Sequence, residues 1–115
     1  MRTAIIVLFA GLVAGHAAAD PMSIRNDYPT VARADYVFGC MASNGQTREA
    51  LEQCSCSIDH IARILPYERY VQAETILRTL QIGGEKVAPF RSSARHKEMV
   101  ANLRRAQAEA DMICF

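Results

Sequence analysis

The chain has 115 residues, 13 Lys and Arg against 12 Asp and Glu, and a 50% hydrophobic composition. That near-neutral balance offers no basic face for nucleic-acid phosphates and no electrostatic pull toward anionic lipid. The length allows one domain, whose modest core needs reinforcement from elsewhere.

The first 19 residues read as a cleavable signal peptide: Met1-Arg2 gives a positive start, Ala4 to Ala14 an unbroken apolar run, and Ala17-Ala18-Ala19 the small residues a signal peptidase requires. Cleavage is expected before Asp20. The apolar run is too short to span a bilayer, which takes about 20 residues. The residue directly after the expected cleavage point is Asp20 and not cysteine, so no lipid anchor is expected. The expectation is a periplasmic or secreted protein with no membrane anchor after cleavage.

Residues 20–28 (DPMSIRNDY) show no apolar period and read as a flexible arm, leaving 29–115 as the folded domain. A first helix should open at Pro29, with Val31, Ala34, Val37, Phe38 and Met41 as its buried stripe, and stop at Asn44-Gly45. Thr47 is the expected N-cap of a second helix carrying Leu51, Cys54, Ile58, Ile61 and Leu65 on one face. Pro66 should end it and open a third, reaching Gln81, with Tyr70, Ala73, Leu77 and Leu80 buried beside Val71 and Ile76. Gly83-Gly84 closes that helix, and Glu85 to Ser92 reads as a connection. Ser92 or Ser93 should cap a fourth helix running to Met112, with Met99, Val100, Leu103, Ala106, Ala110 and Ile113 inward. No strand-like alternation occurs. The expected fold is an all-α, small four-helix domain stapled by two disulfides.

After export, Cys40, Cys54, Cys56 and Cys114 should be oxidised. Cys54 and Cys56 lie two helical positions apart, roughly 200° around the axis, so each should reach a different neighbour. Cys40–Cys54 with Cys56–Cys114 is preferred. Cys40–Cys56 with Cys54–Cys114, or a Cys54–Cys56 bond, stays open. A thiol-redox pair would need an exposed, low-pKa thiolate, whereas Cys54 and Cys56 sit more than a turn inside their helix. Cys56 and His60, spaced i, i+4, could hold zinc with help from Asp59 or His96, but two residues fall short of a structural site's four ligands. His60 otherwise reads as an unremarkable surface histidine.

No G-x-S-x-G, H-E-x-x-H, Gly-rich phosphate loop or calcium loop is present, so no catalytic residue and no cofactor are assigned. Phe38 and Tyr70 are expected in the core, while Tyr67 and Phe90 remain candidates for a partner-binding surface. Arg105 and Glu109 read as an i, i+4 pair on a solvated face.

The segments Asp35-Tyr36-Val37-Phe38-Gly39-Cys40-Met41, Cys54-Ser55-Cys56-Ser57-Ile58-Asp59 and Cys114-Phe115 give the chain a C…CxC…CF pattern. In this it resembles small exported four-cysteine proteins of proteobacteria associated with clusters for PQQ-dependent alcohol dehydrogenases. The resemblance implies a periplasmic address and an accessory role beside a quinoprotein dehydrogenase, and transfers no active-site residue. Two functions are therefore expected to compete. One is a non-enzymatic interaction or accessory module with a periplasmic protein partner. The other is a thiol-redox or metal-handling protein using Cys54, Cys56 and His60.

Overall fold

The computed structural model describes residues 27–115, and no strand occurs among them. The expected signal peptide and residues 20–26 of the expected arm lie outside the described residues. Five α-helices follow in order: α1 Thr30–Asn44, α2 Arg48–Ile64, α3 Tyr67–Ile82, α4 Ala88–Ser92 and α5 Ala94–Cys114, with a 3-10 turn Glu85–Val87 before α4. The fold is all-α and stapled by two disulfides, with one short helix more than the sequence pattern suggested.

Local chemistry sets the boundaries. Thr47 Oγ1 accepts a hydrogen bond from the Ala50 N–H at 3.0 Å, satisfying one of the open donors that begin α2. Leu65 turns extended ahead of Pro66, as the residue before a proline prefers, and α2 stops there. Between α3 and α4 the chain reverses through Gly83 and Gly84, at φ +74° and +92°, a region that side-chain-bearing residues avoid. Of the two serines offered as caps for the last helix, Ser93 acts: its Oγ accepts from His96 N–H at 3.3 Å, while Ser92 Oγ donates to the Ala88 carbonyl.

α1 packs on α2, α2 on α5, and α5 on α3, with the short α4 lying against α5 and α3. The core joins Ile58, Ile61 and Ala62 of α2, Leu65 just beyond its end, Tyr70 and Ala73 of α3, and Leu103, Ala106 and Ala110 of α5. Alanines at the contacts let these helices approach closely. Each fully buried aliphatic side chain contributes about 1.5–3 kcal/mol relative to its exposed state.

Three expectations about packing are corrected. Tyr28, assigned to the arm, is 3% exposed. Its hydroxyl donates to the Leu65 carbonyl at 2.8 Å, and its ring sits 5.1 Å from those of both Tyr67 and Tyr70. Asp27 beside it accepts from the Tyr67 N–H at 3.0 Å and so serves the open first turn of α3. The arm therefore ends before Asp27, because the α2–α3 corner has an aromatic slot and a free carbonyl to fill.

Val31 and Phe38, assigned to the core, are 75% and 77% exposed, and Ala34 is exposed too. α1 contacts its neighbour through Arg33, Tyr36, Val37 and Cys40, a stripe turned by roughly 100° from the expected one. The disulfide decides this: Cys40 must face α2, and Phe38, two positions away, then points outward. The same logic exposes Ile113 at the end of α5, where Ala110 and Cys114 take the inner face. Leu51 and Val71 are also on the exposed side.

Candidate functional site

Because α1 rests on α2 while α3 rests on α5, a groove of about 690 Å³ opens between α1 and α3 and runs to the last turn of α5. Asp35, Tyr36 and Phe38 line it from α1, Tyr70 and Arg78 from α3, and Phe115 closes one end. A smaller cleft of about 310 Å³ continues along the same helix pair, sharing Asp35, Tyr70, Glu74 and Arg78 and ending on Val31 and Val71. The trough is thus apolar at its Val31–Val71 end, charged in the middle, and mixed at the other end, where Phe115 lies with Ser43, Asn44 and Asp111. There Arg78 reaches Asp35 at 3.3 Å and Glu74 at 3.5 Å. Exposed pairs of this kind contribute at most about 1 kcal/mol each, so they shape the trough more than they stabilise it.

The tyrosines form its floor. The Tyr36 and Ser57 hydroxyls share a hydrogen bond at 2.9 Å, tying α1 to the buried face of α2. Burial pushes the Tyr36 phenol above its ordinary value; the Ser57 bond pulls it back, and the Asp111 and Glu74 carboxylates push it up again. The Tyr70 phenol is also raised, first by burial and then by Glu74. Both rings therefore present neutral hydroxyls at neutral pH. The groove lining holds phenols, carboxylates, a guanidinium, the Ser43 hydroxyl and the Asn44 amide, and its one sulfur, that of Cys40, is bridged. Such a surface can grip an amphipathic partner.

The sulfurs pair as Cys40–Cys54 and Cys56–Cys114, and no described cysteine is free. Cys54 is fully buried and fastens α1 to one side of α2, while the exposed Cys56 fastens α5 to the other. His60 shares the Cys56 face, as its spacing requires. Its Nε2 lies 3.1 Å from Glu109 Oε1, so the histidine is a tie between α2 and α5, and Glu109 turns to it. The description of His60 as an idle surface residue is corrected accordingly: its side chain is only 14% exposed. Asp59 pairs with Arg33 at 3.8 Å, and His96 lies on α5 against Phe90. Among the described residues no three His, Cys, Asp or Glu side chains are grouped to hold a metal ion.

The two aromatic candidates are not brought together. Tyr67 is half-buried against Tyr28 and Tyr70 and borders the smaller cleft of the trough. Phe90 lines a separate cleft between α3, α4 and α5. Phe38, one of the aromatic residues that could form a recognition surface but expected in the core, instead flanks the groove with Phe115, for which the sequence gives no signal. The signal that could have found Phe38 was its offset from Cys40. Two disulfides point to maturation in an oxidising, extracytoplasmic environment, and no described helix is long and apolar enough to cross a membrane. Compared with known proteins, the chain matches no family model, no curated protein and no solved structure.

Proposed function

We propose that this is an exported, non-enzymatic interaction module that docks a partner protein in the α1–α3 trough. The observation that carries this reading is the placement of Phe38. A helix that buries none of its residues holds a large aromatic side chain 77% exposed at the edge of a groove. Aromatic anchors beside a pocket, ringed by polar groups, are what protein interfaces concentrate their binding energy on. The bridge from Cys40 fixes the face on which Phe38 stands, so the anchor is ordered before a partner arrives and less freedom is lost on binding.

The resemblance makes a periplasmic quinoprotein dehydrogenase, or its electron acceptor, the first partner to test. A photo-crosslinking residue is placed at Phe38 and, as a control, at the exposed Arg63 of α2. The expected outcome is one adduct of defined mass from the Phe38 position in periplasm, abolished by competition with unlabelled protein. Equal, diffuse labelling from both positions defeats the proposal.

A further inference from the structure

The cleft that Phe90 lines shares no residue with the trough. Its volume is about 240 Å³, and its walls come from three helices: Ile76 and Leu80 of α3, Phe90 and Arg91 of α4, and His96, Lys97, Val100, Ala101 and Arg104 of α5. The α5 residues 97, 100, 101 and 104 follow the i, i+3, i+4, i+7 rule, so one face of that helix supplies two cations around an apolar strip. Ile76 is buried and Leu80, Phe90 and Val100 are half-buried, giving the cleft a hydrocarbon interior.

The rim is cationic and uncompensated. Arg91, Lys97 and Arg104 are exposed, and among the described residues none lies within ion-pair distance of a carboxylate. Glu98, next to Lys97 in sequence, lines a different pocket, with Arg69 and Arg95. His96 contributes its ring, stacked on Phe90 at 4.9 Å, and its Nδ1 is buried without a hydrogen-bond partner.

We propose that this cleft binds a free medium-chain carboxylate, the alkyl tail against Ile76, Leu80, Phe90 and Val100 and the carboxylate among Arg91, Lys97 and Arg104. An apolar interior with a positive rim is complementary to an anionic amphiphile and to nothing cationic. Guanidinium groups pair well with carboxylate oxygens. The space of about 240 Å³ takes a tail of roughly eight heavy atoms if each fills about 30 Å³, as a water molecule does in the liquid.

Titration calorimetry of the oxidised protein with sodium octanoate tests the proposal. Saturable, equimolar binding is expected, with octanol and octylammonium weaker by at least about tenfold, because each lacks the charge that the rim selects. From butanoate to octanoate the affinity should rise about fourfold per methylene. Lys97→Gln with Arg104→Gln, both at exposed positions, should weaken octanoate at least about tenfold while leaving the helical spectrum intact. Ala101→Phe should fill the cleft and abolish binding. Equal affinity for octanol, no saturation by octanoate at millimolar concentration, or binding to phosphatidylglycerol vesicles without binding of free octanoate would each overturn it.

Discussion

Helices α1 and α2 lie side by side, are of similar length and carry similar numbers of apolar side chains, yet they stand in opposite relations to the core. α2 buries Ala50, Cys54, Ser57, Ile58, Ile61 and Ala62; α1 buries none of its residues. α2 is sandwiched between α1 and α5, whereas α1 packs closely on α2 and meets α3 only across the open trough. Apolar content therefore does not tell whether a helix belongs to the core; the number of faces covered does. What secures α1 is a disulfide, the Tyr36–Ser57 hydrogen bond, the packing of Tyr36 and Val37 against the core, and ion pairs from Arg33 to Asp59 and from Asp35 to Arg78.

Alkaline pH should act on both helices at once and so have the largest effect. The phenols of Tyr28, Tyr36 and Tyr70 are all raised, burial being the first cause in each. A raised phenol favours the fold in its protonated form. That stabilisation is complete below the ordinary tyrosine value near 10 and is lost as pH climbs above it through the folded-state values. In a Tyr67→Phe background, phenolate absorbance should rise together with loss of helical circular dichroism. Phenolate formation at pH 10 in a fully helical protein would contradict it.

Ile61→Ala, in the sandwiched helix, should cost about 2–5 kcal/mol in chemical denaturation, since the side chain is fully buried among three helices. Removing the short bridge, by Cys40→Ala with Cys54→Ala, should cost about 3 kcal/mol for a loop of 14 residues. Its signature is local: amide exchange should accelerate across Thr30–Asn44 far more than in α2 or α5. Uniform acceleration would show that α1 is integral to the core after all. Tyr28→Phe should cost about 1 kcal/mol, the net value of its bond to the Leu65 carbonyl. Phe38→Ala, on the uncovered side of α1, should change stability by no more than about 0.5 kcal/mol while weakening partner capture. A large loss of stability there would remove the contrast between the two helices.

The helical class, the four long helices and the Thr47 cap were legible in the sequence, because each rests on local spacing. For the sulfurs, the geometry of residues two apart disfavours only a Cys54–Cys56 bond; Cys40–Cys54 with Cys56–Cys114 is a preference over the crossed pairing, and the packing of α1 and α5 on α2 decides it. The α1 face was not. Its apolar residues suggest one stripe and Cys40 another, and only the sulfur's need to reach Cys54 decides between them. Tyr28 was missed for a different reason: nothing within residues 20–28, which show no apolar period, reveals an aromatic slot built by Leu65, Tyr67 and Tyr70, some 40 positions later in the chain. Neither cleft was visible as a unit, since Asp35 and Arg78, or Ile76 and Arg104, become neighbours only through packing. The sequence offers Phe90 with Tyr67 for a partner-binding surface, and the structure places it in a cleft apart from Tyr67.

α3 is bounded by Pro66 and the Gly83-Gly84 reversal and carries no cysteine, unlike α1, α2 and α5. It also lends Arg78 to the trough and Ile76 and Leu80 to the cationic cleft. A partition shared by two rooms cannot be moved in one alone. Any occupant of either space that displaces α3 changes the dimensions of the other, and linkage requires the two effects on affinity to be equal in size.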